Sequence, residues 1–395
     1  MKFGMDKGAL LGARREMGHP SKKLIASYLL DWVVIIAFAV AGAIFSIIEP
    51  HHRPFTLLNP DISYPYVEEQ ITTWMLGVVA FLVPALLIAV ITIFFVPGKE
   101  VRSVSTGAQV WKLKLWELEK GLAGLCFSVA VAFFVTQGMK NMFGKPRPNM
   151  LARCEPDLSS IQDHVVGGYG QDISIRWTLV DIGICQSEDG KKLNDGFRSF
   201  PSGHSSWSWS GLLYLTLYFC SKFAIGLPSL PVVQQPSAKQ KRSSDHELLP
   251  LHSNRARGDS EDTKQEYDDQ TSPADAISTS PLWVRNSAAA PPNYLIIPAL
   301  TPVAVAVYIC STRWAEYYHF GFDIIGGSLI GIVTAWLAFR WYHQPIGSRG
   351  QGWAWGSRSR DRAFAIGVGT GGYVGDEGWH SVKAPASDVE MANRS

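Results

Sequence analysis

The chain has 395 residues, of which 47% are hydrophobic and 12% aromatic, and its 36 Lys and Arg residues nearly balance 34 Asp and Glu residues. This balance points to no strongly charged partner such as nucleic acid, and five cysteines are too few for a disulfide scaffold. The mean hydropathy of only +0.05 averages long apolar blocks with polar stretches, a pattern typical of a polytopic membrane protein.

Six apolar blocks are long enough to cross a bilayer as helices, which takes roughly 17–25 residues each. They run over about Leu24–Ile48, Ile71–Phe95, Gly121–Gly138, Ser206–Leu227, Tyr294–Ser311 and Asp323–Trp341. No small-residue cleavage site follows the first block, so we expect it to remain as a helix. The sequence therefore predicts an all-α fold, a bundle of six transmembrane helices.

The Lys and Arg residues that flank the spans predict their orientation. The leader, residues 1–23, carries six of them, whereas the loop at about 49–70 carries only Arg53. We therefore expect a cytoplasmic leader and, because the number of spans is even, a cytoplasmic carboxyl terminus. The loops at about 49–70, 139–205 and 312–322 then lie on the extracytoplasmic face, in an organelle or at a cell surface that the sequence does not specify.

Two segments outside the spans have compositions typical of disorder. Residues 228–292, between the fourth and fifth spans, are polar and too poor in apolar residues to bury a core, which predicts a disordered cytoplasmic insert. It is either a regulatory segment or a plain spacer. Residues 343–395 are rich in Gly, Ser and Arg and predict a solvated cytoplasmic tail.

Three residues outside the motifs raise separate expectations. Asp31 lies inside the first span, where a charge is costly, and either makes a structural contact or lies near a substrate. Cys154 and Cys185 share the long extracytoplasmic loop, where a disulfide can form. Closing a loop of about 30 residues would stabilise the fold by roughly 3 kcal/mol.

Three short polar motifs lie at the predicted extracytoplasmic ends of the spans. They are Lys140 with Arg147-Pro148 after the third span, Pro201-Ser202-Gly203-His204 before the fourth, and Arg313, His319 and Asp323 between the fifth and sixth. The predicted topology places all three on one face of the membrane.

The cations and the glycine turn are suited to binding a phosphate. Lys140, Arg147 and Arg313 can donate charged hydrogen bonds to phosphoryl oxygens. Ser202-Gly203 opens a helix, whose free N–H groups favour an anion, and Gly203 allows close approach.

The two histidines can make and break a bond to phosphorus. Asp323 follows His319 by four residues, so in a helical turn the carboxylate would orient the ring and support its positive charge. We therefore predict His319 as nucleophile, Asp323 as its partner and His204 as general acid. The scheme needs no metal or other cofactor, and no Cys and His spacing indicates a metal site.

Each motif alone has a plainer interpretation. Lys140 and Arg147 could be interfacial residues that extend their charges to water, Ser202-Gly203-His204 a simple helix start, and His319 a structural histidine. Their conjunction on one face favours the catalytic interpretation.

The three motifs resemble the signature of the type 2 phosphatidic acid phosphatase (PAP2) superfamily in order and in internal spacing. The resemblance covers about residues 24–342, and Thr312 stands where the family usually has Ser. It implies the roles given above, with Lys140, Arg147, Ser202, Gly203 and Arg313 holding phosphate. It also implies phosphatidate, lysophosphatidate or diacylglycerol pyrophosphate as substrate, cleaved without magnesium. The first span's entry and the long loop are similar to fungal diacylglycerol pyrophosphate phosphatases.

Two other functions remain open at this stage. One is a phosphatase for sphingoid-base phosphates or sugar phosphates. The other is a catalytically silent membrane protein that binds lipid phosphates, although such a protein needs no pair of histidines and no Asp323. The sequence does not determine the oligomeric state.

Overall fold

The computed structural model describes residues 21–98, 102–103, 105–174, 177–226, 290–347, 350–359 and 363–364. Nearly all of the leader, residues 1–23, and of the insert, residues 228–292, lies outside the described residues. The predicted disorder of the insert therefore stays a prediction.

Six long helices form a bundle within the described residues, in agreement with the six predicted spans. Two short helices, α4 and α5, lie between the third and the fourth of them. In chain order the helices are α1 (Lys22–Ile47), α2 (Thr73–Phe95), α3 (Gly107–Phe143), α4 (Met150–Cys154), α5 (Gly190–Gly196), α6 (203–222), α7 (Ile296–Ala315) and α8 (Gly321–Tyr342).

Five of the six long helices are long and apolar enough to cross a membrane, and α6 is the exception. The reason is its place in the centre of the bundle. Most of its residues are buried, among them serines such as Ser206 and Ser210, which bond to other protein groups. A helix enclosed by other helices can carry polar side chains because it is not exposed to lipid.

Helices α2 and α6 cross at matching irregularities. Each contains one π-helical turn, at Val78–Leu82 and at Trp209–Leu213. At the crossing, a Cβ on Gly211 would overlap the carbonyl oxygen of Ala80, so only glycine permits this approach. The contact fixes the depth of α6, and with it the position of the motif at its first turn.

Helix α3 is longer than the predicted third span. It starts at a capping box formed by Thr106 and Gln109, well before the apolar block begins. It ends at Gly144, which has a left-handed φ of 55°. Lys140 therefore lies in the last helical turn, facing the bundle interior, where it is buried.

Residues 48–72, 144–174 and 177–202 form a cap over one end of the bundle, which we call the site end. Strands β1 (Val165–Gly167) and β2 (Leu179–Val180) pair antiparallel within it. A disulfide joins Cys154 to Cys185, as expected from the sequence. The cap has its own apolar core, formed by Phe55, Ile62, Met150, Cys154, Val180, Ile184 and Phe197.

The described part of the tail differs from the predicted solvated segment, because it packs against the opposite end of the bundle. Its strands β3 (Ile346–Gly347) and β4 (Gly350–Gln351) form a hairpin. The buried pair Glu117 and Lys222, 2.5 Å apart, anchors it: Glu117 accepts from the Ala354 N–H at 2.9 Å. These two charged partners lie on α3 and α6, outside the tail. The composition of the tail alone therefore did not predict that it packs there.

Asp31 belongs to the same end and makes a structural contact. Its carboxylate accepts a hydrogen bond from Arg358 of the tail at 2.8 Å. The pair lies at the far end of the bundle from the three motifs. This placement answers the question that the sequence left open.

Candidate active site

The three motifs meet at the site end, where residues of the first and third lie against the ring of Tyr318. The guanidinium groups of Arg147, Arg153 and Arg313 lie 5.2, 5.1 and 5.4 Å from the centre of this ring. All four side chains are buried. We call the group of Lys140, Arg147, Arg313, His204 and His319 the anion site.

Lys140 approaches the glycine turn of the second motif. A Cβ added to Gly203 would lie 3.3 Å from the Lys140 ammonium nitrogen, so the two motifs are in direct contact. Ser202 is the N-cap of α6 and accepts from the Ser205 N–H at 3.4 Å. In an α-helix the first N–H groups have no intrahelical partner, which leaves those of Gly203 and His204 available to an anion.

A shared carboxylate holds Arg147 in place. Asp195 accepts from Arg147 at 2.7 Å with one oxygen and from Arg153 at 3.0 Å with the other. The Nε atom of Arg147 and Nη2 of Arg153 are buried without a hydrogen-bond partner. Buried guanidinium nitrogens of this kind are costly unless an anion satisfies them.

Arg313 is fully buried and pairs with two glutamates. Its Nη2 donates to Glu316 at 2.7 Å, while Nη1 lies 3.3 Å from Glu69 without an aligned hydrogen bond. Its Nε donates to the Thr312 hydroxyl at 3.2 Å, so the threonine that replaces the usual serine keeps a hydroxyl contact. Burial raises the pKa of Glu69, although Arg313 and Arg147 oppose this effect.

His319 is fixed by a backbone carbonyl and not directly by Asp323. Its Nδ1–H donates to the Ser199 carbonyl at 2.6 Å, whereas Asp323 Oδ2 lies 4.0 Å from Nδ1. Asp323 accepts instead from Lys145 at 2.8 Å, from the Ser199 hydroxyl at 2.5 Å and from the Phe320 N–H at 3.0 Å. The expected direct orientation of the ring is therefore corrected. Helix α8 begins only at Gly321, so the residues are not one helical turn apart.

Electrostatics around His319 indicate how close the motifs are. Burial, followed by the positive charges of Arg147 and Lys140, lowers the pKa of His319 well below its usual value. The ring is therefore neutral near pH 7, and Nε2 carries the free lone pair because Nδ1 holds the proton.

His204 has its own backbone partner. Its Nε2–H donates to the Ile71 carbonyl at 2.9 Å, immediately before α2. This bond fixes the tautomer and leaves Nδ1 with the lone pair. Burial, followed by the positive charges of Arg313, Lys140 and Arg147, lowers the pKa of His204 to about 3, which places it in the same cluster.

Several residues of the site were missed at the level of sequence. Lys145 and Ser199 lie within or next to the motifs, and Tyr318 precedes His319, so their proximity was a usable signal. Nothing in the sequence marked the others, which lie in separate parts of the cap. They are Arg153, Asp195, Glu69 and the backbone carbonyl of Ile71.

This arrangement can bind a multiply charged anion beside a neutral nucleophile. Lys140, Arg147 and Arg313 supply cations, the start of α6 supplies N–H groups, and His319 offers Nε2. These are the parts that phosphoryl transfer requires, since catalysis there rests on positioning and electrostatic stabilisation.

Loss of a guanidinium group should weaken anion binding. We expect Arg147→Met to raise the dissociation constant of inorganic phosphate about ten- to hundredfold, because a charged hydrogen bond is lost. Calorimetric titration of the detergent-solubilised protein would measure it. Arg198→Met is the matched control, since Arg198 donates to the Ser46 and Ile48 carbonyls. Equal losses in both variants would contradict the assignment.

Removal of the Glu69 charge should have the opposite effect. Glu69 competes with an incoming anion for Arg313, so we expect Glu69→Gln to tighten phosphate binding roughly three- to tenfold. The neighbouring Glu68 is exposed and provides a charge-matched control. The same titration at pH 8 would be decisive: unchanged or weaker binding by Glu69→Gln would show that the carboxylate does not compete.

Known proteins are similar to this chain over much of its length. The family model described as PAP2 superfamily matches residues 121–346. The chain is 30% identical to diacylglycerol pyrophosphate phosphatase 1 of Saccharomyces cerevisiae over 75% of this chain and 73% of that one. It is 26% identical to the probable diacylglycerol pyrophosphate phosphatase 1 of Schizosaccharomyces pombe, over 82% and 84% of the two chains.

A plant relative is matched over a shorter part. The chain is 26% identical to the probable lipid phosphate phosphatase 4 of Arabidopsis thaliana over 55% of this chain, and it spans only 60% of that protein's length. No solved structure matches the chain significantly. The family match covers more than half of the chain and contains the whole anion site, and so the chain belongs to the PAP2 superfamily.

Proposed function

We propose that this integral membrane protein is a lipid phosphate phosphatase that acts through a phosphohistidine formed on Nε2 of His319. The observation that carries the proposal is the state of that ring. Nδ1–H is held by the Ser199 carbonyl, and burial beside cations keeps the imidazole neutral. A neutral imidazole with a free Nε2 is a nucleophile.

In the first step, Nε2 of His319 attacks phosphorus and the bond to the leaving oxygen breaks. Lys140, Arg147 and Arg313 hold the non-bridging oxygens, on which negative charge is spread. Nδ1 of His204 takes up a proton as the phosphate anion binds beside it, and gives this proton to the leaving oxygen. Because Nε2–H of His204 is held by a carbonyl, Nδ1 is the nitrogen that transfers this proton.

In the second step, His204 accepts a proton from water as the water oxygen attacks phosphorus. The bond between phosphorus and His319 breaks, phosphate leaves, His204 releases the proton it took from water, and both rings return to their starting states. Asp323, at 4.0 Å from Nδ1, favours the positive charge that His319 carries in the intermediate. Every step uses side chains of this chain, so we expect activity without magnesium.

The proposed substrates are phosphatidate, lysophosphatidate and diacylglycerol pyrophosphate. The names of the yeast and plant relatives support this class. Helices that are apolar enough to cross a membrane support a substrate that resides in the bilayer. We place the site on the extracytoplasmic face, because the leader carries six Lys and Arg residues and the loop at 49–70 only one Arg.

One assay tests the proposal against its rivals. With a chelator present, the wild type should release phosphate from dioleoyl phosphatidate in mixed micelles, and His319→Ala should lose about 10⁴-fold or more in kcat. His164→Ala is the control, because His164 lies in the cap and contacts Asp181 at 3.2 Å.

Other outcomes of this assay would contradict parts of the proposal. Activity that requires magnesium, or that survives His319→Ala, would rule out the phosphohistidine mechanism. Release from a sugar phosphate alone would reassign the substrate. An inactive wild type would favour the silent binding protein.

A further inference from the structure

An apolar groove descends into the bundle between α1, α2 and α3. It encloses a cavity of about 600 Å³. None of the described residues that line it is charged. The rings and small residues that matter for its shape are Trp32, Ala39, Trp74, Gly77, Phe81 and Trp207.

The upper end of the groove reaches the general acid of the proposed mechanism. Trp207 lies on the first turns of α6, three residues after His204. Trp74 lies three residues after Ile71, whose carbonyl accepts from His204. The groove and the anion site therefore share the beginning of α6 and the beginning of α2.

The dimensions of the groove are suited to an extended hydrocarbon chain. Along α2 it runs from Trp74 to Leu82, which is about 12 Å at 1.5 Å per residue. Its lining is aromatic and aliphatic, without the convergent polar groups that a small soluble ligand requires. The bilayer is as apolar as the groove, so a hydrocarbon chain that enters the groove is not removed from water. The effect of binding there would be to orient the chain.

We propose that this groove binds one acyl chain of the lipid substrate and so directs the leaving oxygen toward His204. The inference rests on the proposed phosphatase activity and adds the part of the lipid that the anion site does not contact. The phosphate is held by Lys140, Arg147 and Arg313, and the chain runs along α2 into the bilayer. The leaving oxygen lies between these two anchors, next to the acid.

The test compares two phosphatidates with the same headgroup, dioleoyl and dihexanoyl, in the full-length protein. Ala39→Trp fills the groove, and we expect kcat/KM for the dioleoyl lipid to fall about tenfold or more, with less than about a twofold change for the dihexanoyl lipid. Ala37→Trp is the matched control, because Ala37 is exposed on the same helix outside the groove, and should change neither value.

A second variant repeats the test independently in case Ala39→Trp does not fold. A Cβ on Gly77 would meet only the Trp207 ring, at 4.0 Å, so this position has room for a side chain to begin, and Gly77→Leu adds bulk to the groove from another helix. It should reproduce the loss with the dioleoyl lipid. Equal losses for both lipids, or no loss in either variant, would overturn the acyl-chain assignment while leaving the phosphatase proposal intact. A wild type inactive on both lipids would instead remove the phosphatase proposal and this inference with it.

Discussion

The structure depends on how a helical bundle offsets positive charges buried at one of its ends. Lys140, Arg147 and Arg313 lie almost wholly out of water, where an unpaired charge costs several kcal/mol. Asp195 and Glu316 offset part of this charge through direct hydrogen bonds. This pairing makes the site stable enough to fold. Guanidinium nitrogens still remain without partners, and for that reason the site favours a further anion.

The same charges determine the chemistry available to the histidines. Cations next to His319 disfavour its protonation, while the carbonyl of Ser199 fixes which nitrogen carries the proton. Asp323 is then free to bind Lys145 and the Ser199 hydroxyl, and so ties the third motif to the residues that precede the second. Anion binding and nucleophile activation thus come from one cluster, and loss of one cation should affect both.

Sequence patterns predicted the helices and the eight motif residues because both depend on local signals: apolar length for a span, and short spacings for a motif. They did not predict that the Ser199 carbonyl orients His319, because a backbone contact leaves no mark on residue type. Arg153 and Glu69 reach the site from separate parts of the cap, so only tertiary folding brings them there. The sequence also did not predict that Ala354 of the tail binds Glu117, because again only tertiary folding brings these residues together.

The central claim is that Nε2 of His319 becomes bonded to phosphorus during turnover. Rapid quenching at alkaline pH after mixing with phosphatidate, followed by peptide mass mapping, tests it directly, because a phosphohistidine is lost in acid. The account predicts one phosphoryl group on the peptide that contains His319, formed and lost at rates matching turnover. A phosphoryl group on another side chain, or none at any quench time in an active enzyme, would contradict it.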